Sequence, residues 1–119
     1  MDQIIIKEFT GADASAALDS PIINLKSFKF FAVNLYQTGF TNDLSTLTIL
    51  GSNDTDLATF QILQPAATPA VLTMLLADKA QVIEYQAPML YDKIIIRYTP
   101  NGNTGAIDKV IVTKLENTL

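Results

Sequence analysis

Acidic and amide side chains crowd together at Asn53-Asp54-Thr55-Asp56, where two carboxylates and one amide fall within four residues. Asn53, Asp54 and Asp56 are therefore the candidate ligands for a hard cation such as calcium, which takes carboxylate and backbone oxygens. The segment lacks the central Gly and distal Glu of an EF-hand loop, and Asn-Asp runs are also ordinary material of turns. Tyr36, Tyr85, Tyr91 and Tyr98 are the aromatic rings with a polar tip. Tyr85 and Tyr91 are the candidates for stacking on a sugar, with nearby Asn and Asp bonding its hydroxyls. The competing reading is a half-buried strand residue whose hydroxyl reaches water.

Histidine and cysteine are absent. That removes the usual general base near neutral pH, the thiolate nucleophile, disulfides and most structural zinc sites. Hydrolysis would then need paired carboxylates, a Ser-Lys arrangement or a metal. Asp92-Lys93 and Asp108-Lys109 read as solvated charges bordering strands, worth under about 1 kcal/mol each. Gly102-Asn103-Thr104-Gly105 lacks the Lys and the following helix of a phosphate loop and reads as a turn. The expectation is a non-enzymatic chain without a cofactor.

The chain has 119 residues, 49% of them hydrophobic and 17% charged, with a net charge of -4. That is enough apolar surface for a core and too little charge for a disordered tail. An acidic chain with scattered Lys and Arg is poorly suited to nucleic acid. No apolar run approaches the roughly 20 residues of a membrane-spanning helix. Met1-Asp2-Gln3 puts an acid where an export signal carries positive charge, so no such signal is expected.

These residues must be positioned by short segments rich in Ile, Val, Phe, Tyr and Thr, punctuated by Gly, Asn, Asp, Ser and Pro. Strands are predicted at Ile4 to Phe9, Pro21 to Asn24, Phe28 to Tyr36, Ser45 to Leu50, Thr59 to Leu63, Val71 to Leu76, Gln81 to Tyr85, Lys93 to Thr99 and Ala106 to Lys114. A helical turn is expected at Ala12 to Leu18, and Val71 to Lys79 is open between a short helix and an edge strand. The Asn101-Gly102 pair predicts a hairpin folding Lys93 to Thr99 onto Ala106 to Lys114. The fold class is all-β: a single antiparallel β-sandwich of jelly-roll type with about eight or nine strands. One domain covers 1–119, with an N-terminal arm and first strands over 1–27 and the core sandwich over 28–114.

An isolated sandwich buries one face of each sheet, so its strands should alternate apolar and polar. Two segments do not. Phe28, Phe30, Ala32, Asn34 and Tyr36 oppose Lys29, Phe31, Val33 and Leu35, and Ile94, Ile96 and Tyr98 oppose Lys93, Ile95 and Arg97. Either the domain's own loops and N-terminal arm cover the outer side, or another subunit does. On the second reading the interface candidates are Phe28, Phe30, Tyr36, Ile95 and Arg97.

Leu47-Thr48-Ile49-Leu50-Gly51-Ser52-Asn53-Asp54, followed by Ala58-Thr59-Phe60, resembles a β-sandwich of bacteriophage virion proteins, similar to discoidin or galactose-binding jelly rolls. Tyr91-Asp92-Lys93-Ile94-Ile95-Ile96-Arg97-Tyr98, the turn Asn101 to Gly105 and the strand Ile107 to Val112 extend the likeness, which covers roughly Phe28 to Lys114. Thr55 stands where a Gly often follows the turn, and Phe60 stands near the position where a Trp is common. The resemblance implies a capsid-associated vertex, decoration or fibre-base subunit, made in a host cytoplasm and packed into a virion. Its partners would be copies of itself and other virion proteins. The alternative is a carbohydrate-binding module for host attachment, with a glycan as partner.

Overall fold

The computed structural model describes residues 2–25, 30–42, 44–62, 71–73, 81–85 and 91–116, and the side chains of 5–25, 31–42, 44–61 and 91–113. Strands run in the order β1 (Asp2–Glu8), β2 (Ala12–Asp13), β3 (Leu18–Asp19), β4 (Ile23–Asn24), β5 (Phe30–Thr38), β6 (Thr46–Ser52), β7 (Gln61–Ile62), β8 (Val71–Thr73), β9 (Gln81–Tyr85), β10 (Lys93–Thr99) and β11 (Ala106–Glu116). One 3-10 turn, Leu57–Thr59, sits between β6 and β7. The chain is all-β, and among the described residues every ladder is antiparallel.

Two sheets form. The first runs β1-β11-β5-β9 with β2 beside β1 on β11, and the second runs β3-β10-β6-β7 with β4 beside β3 on β10 and β8 beside β7 on β6. The short pieces lie end to end, so each sheet has four strand positions. Numbered in chain order, those eight positions read 1-8-3-6 in the first sheet and 2-7-4-5 in the second. The sandwich fills between them with Phe31, Val33 and Leu35 of β5, Ile107, Val110 and Val112 of β11, Leu47 and Ile49 of β6, and Ile94, Ile96 and Tyr98 of β10. β-branched residues predominate because they fit a pleated surface buried on one side.

Breaks in the edge strands have local causes. Between β3 and β4 the register against β10 slips by one residue. Pro21 sits in that break and has no N–H to give a ladder. Ser20 repairs the gap: its backbone N–H donates to the Ile96 carbonyl and its hydroxyl accepts from the Ile96 N–H, both at 2.9 Å. Between β1 and β2, Phe9 and Gly11 take φ of 53° and 65°, and β11 shifts register on its other flank between Ile107 and Lys109. Asp108 is the bulged residue, and the Thr38 hydroxyl donates to its carboxylate at 2.6 Å.

Two expectations are corrected. Ala12 to Leu18 is no helical turn: β2 pairs with β11, β3 pairs with β10, and the residues between carry the chain from one sheet to the other. Asp13 closes that crossing, accepting from the Ser15 N–H and hydroxyl, both at 2.9 Å, which holds its carboxyl below the usual range. Buried Ala14 anchors it, donating to the Gly105 carbonyl at 3.0 Å and accepting from the Tyr98 hydroxyl at 2.7 Å. Nor do β10 and β11 form a hairpin. Asn101 and Gly102 do adopt positive φ in a turn closed by the Asn103 N–H to the Pro100 carbonyl, but β10 pairs with β6 while β11 pairs with β5. Three further residues, ending at Gly105 with φ 107°, lift the chain across to the other sheet. A β-carbon on Gly105 would overlap the Gly39 backbone, so that close crossing requires glycine.

Candidate functional site

The outer faces of the two sheets differ in what covers them. On the second sheet, Ile95 of β10 and Leu50 of β6 point away from the main core and are buried beneath Phe60. The loop that delivers Phe60 is built from its polar residues. The Ser52 hydroxyl accepts from the Asp54 N–H and lies 2.6 Å from the Thr59 hydroxyl. Asp54 accepts from the N–H groups of Thr55 and Asp56, and Asp56 caps the 3-10 turn by accepting from the Ala58 N–H at 3.0 Å. Asn53 accepts from the Asp92 N–H at 2.9 Å, tying the loop to the start of β10. The Asn53, Asp54 and Asp56 oxygens that were candidates for calcium thus hold backbone amides and shape a cover. Among the described residues no three acidic side chains gather into a possible metal site.

The outer face of the first sheet carries no such cover among the described residues. Along β5 the alternation is strict: Phe31, Val33, Leu35 and Gln37 are buried, and Ala32, Asn34 and Tyr36 are half-exposed. Opposite them stand Thr113, Ile111 and Lys109 of β11, also half-exposed. β1 continues the rows, with Ile5 beside Thr113 and Lys7 beside Ile111. Ile5 is 58% exposed. The Lys109 ammonium lies over the Tyr36 ring, 4.9 Å from its centre, a cation–π contact. Among the described side chains the result is a surface of small, apolar and neutral polar groups with the ammonium groups of Lys7 and Lys109 on it.

The other expected site residues fall as follows. Phe28 lies outside the described residues. Phe30 opens β5 opposite Leu115, and its side chain is outside the described set. Tyr36 is half-exposed on the outer face of the first sheet. Ile95 is corrected as an interface residue, being 4% exposed under Phe60. Arg97 is exposed and forms a two-toothed pair with Asp19 at 2.8 and 3.2 Å, which raises its pKa. Tyr85 stands opposite Phe31 in the ladder. Tyr91 is half-buried against the main core rather than displayed for stacking.

Sequence reasoning missed Ile5, Lys7, Lys109, Ile111 and Thr113. The signal was in β11, where Ile111 and Leu115 alternate with Lys109 and Thr113 in the row facing away from Val110 and Val112. Comparison with protein-family models, with curated proteins and with solved structures found no significant match.

Proposed function

We propose that this chain is a non-enzymatic structural subunit that assembles through the outer face of its first sheet, within a bacteriophage virion as a vertex, decoration or fibre-base protein. The observation that carries the assembly reading is the contrast between the two outer faces. The chain folds its own loop over Leu50 and Ile95 on one sheet, and on the other leaves Ile5 exposed and Ala32, Ile111, Thr113 and Tyr36 half-exposed. A flat surface with few charges is what a subunit interface requires. The virion assignment draws its support from the resemblance of the Leu47 to Asp54 and Tyr91 to Tyr98 segments. The strand order 1-8-3-6 over 2-7-4-5 supports reading the sandwich as a jelly roll. A glycan-binding module has less behind it, because Tyr91 packs on the core.

Light scattering across a concentration series tests the assembly reading. Mass should rise with concentration, and Ala32→Arg, which sets a long charged chain in the middle of the face, should abolish the rise while leaving the far-ultraviolet spectrum unchanged. A wild-type monomer at every concentration would remove the proposal. Mass spectrometry of purified particles from the phage encoding this chain tests the virion assignment, and absence of the chain from those particles would refute it.

A further inference from the structure

The four sheet edges are not equally protected. β3 and β4 are two-residue pieces parted by Pro21, and β7 and β8 are pieces of two and three residues. β9 has five residues. β1 pairs with β11 through seven consecutive residues, Asp2 to Glu8, without interruption, and among the described residues no strand lies on its other side. An edge of that length offers a row of N–H and C=O groups to any extended chain. Native edges are usually blunted by a charge or proline near the middle, but the middle of β1 is Ile4-Ile5-Ile6, with Ile5 largely exposed.

Resting on the assembly reading above, we infer that β1 is a pairing edge for a second copy of this chain, joined antiparallel about a two-fold axis through Ile5. Such an axis stands perpendicular to the sheet and keeps each face on its own side, so opposed residues must share a face. Three registers in the centre of the strand meet that condition. Centred on Ile4, the pairing sets Gln3 against the partner's Ile5 and Asp2 against the partner's Ile6. Centred on Ile6, it sets Ile5 against the partner's Lys7 and Ile4 against the partner's Glu8. Centred on Ile5, it matches like with like: Ile5 with the partner's Ile5, Ile4 with the partner's Ile6, and Gln3 with the partner's Lys7. The one unfavourable contact, Asp2 with the partner's Glu8, falls at the ladder's ends. The pattern is self-complementary in that register alone. Pairing there makes one sheet of eight strand positions, and the outer face becomes continuous across both copies.

The test uses charge at the axis, where Ile5 is exposed enough for replacement to leave the monomer folded. Ile5→Lys and Ile5→Glu should each weaken dimerisation at least about tenfold, since like charges then face each other directly. Mixing the two variants in equal amounts should restore a dimer of wild-type affinity, read by sedimentation velocity, because the axis now brings a Lys against a Glu. Amide exchange should slow within residues 2–8 of the wild type as concentration rises. If Ile5→Lys assembles as the wild type does, or if the mixture stays monomeric while the wild type assembles, the β1 edge is excluded and another surface carries assembly. A monomeric wild type removes both the edge and the assembly reading.

Discussion

Replacing Asn103 with Ala should destabilise the domain far more than a turn residue ordinarily would. Asn103 is 1% exposed. Its Oδ1 accepts from the N–H groups of Thr41 and Asn42 at 2.8 and 3.2 Å, and its Nδ2 donates to the Asn42 carbonyl at 3.2 Å and the Ser45 hydroxyl at 3.0 Å. One amide thus fastens the loop between β5 and β6 to the loop between β10 and β11. Truncation leaves two N–H groups and one carbonyl without partners in a partly buried setting, at roughly 1 kcal/mol each. The vacated volume adds about 1 kcal/mol. The expected loss is about 3–5 kcal/mol, against a total of about 5–15 for a typical domain. Urea unfolding followed by tyrosine fluorescence measures it, with an unchanged slope showing that the unfolded state is unaffected. A companion Asn103→Asp keeps the acceptor but loses the donor, and its second oxygen then faces the Asn42 carbonyl in a buried site, which favours the protonated acid over the carboxylate. Its penalty relative to the wild type should be smallest near pH 3, where the group is neutral in both states, and should grow as pH climbs above about 4. A loss below about 1 kcal/mol for the Ala variant would show that the two loops do not depend on this amide.

Other outcomes follow from single contacts. Tyr98→Phe removes the hydroxyl donated to the Ala14 carbonyl and should cost about 1–2 kcal/mol in the same assay. Burial holds the Tyr98 phenol above its ordinary pKa, so stability should fall as pH rises past about 10, where the unfolded phenol ionises while the folded one keeps its proton. Gly105→Ala forces a β-carbon into the Gly39 backbone at φ 107° and should lower stability by at least about 1–3 kcal/mol, measured as a drop in Tm. Phe60→Ala uncovers Ile95 and Leu50, costs about 3 kcal/mol, and should raise hydrophobic-dye binding above that of the wild type. Arg97→Gln breaks an exposed pair and should change stability by under about 1 kcal/mol, with the difference shrinking in high salt.

Much of the fold was legible in local composition. β9 and β10 fall where the β-branched and aromatic runs place them, and β5, β6 and β11 are displaced by a few residues at most. Partnership was not legible. Asn101-Gly102 signals a turn with two positive φ values, and the turn is there. A turn motif, however, carries no information on whether the strands it joins pair or face each other across a core. That is decided by Ile94, Ile96 and Tyr98 packing against Val110 and Val112 from opposite sheets, a contact set by the whole chain. The acidic run at Asn53 to Asp56 was ambiguous for a related reason: a carboxylate aimed at a backbone N–H and one aimed at a cation have the same local sequence. For Ile95 alternation left two readings open, cover by the chain's own loops or by another subunit, and it could not point to Phe60, 35 residues earlier, as the cover.

The pairing of β1 with β11 has a consequence for how the chain reaches its fold. Residues 2–8 find their ladder partner only at 110–116, so about a hundred residues must be made before that contact exists. At a synthesis rate of about 5–20 residues per second, β1 waits on the order of 5–20 s with its three consecutive isoleucines uncovered. β11 joins β1, β2 and β5 into one sheet, and none of those ladders can form earlier. Refolding should accordingly be slow, dominated by one late closure, and β1 should be the segment that a chaperone holds in the interval.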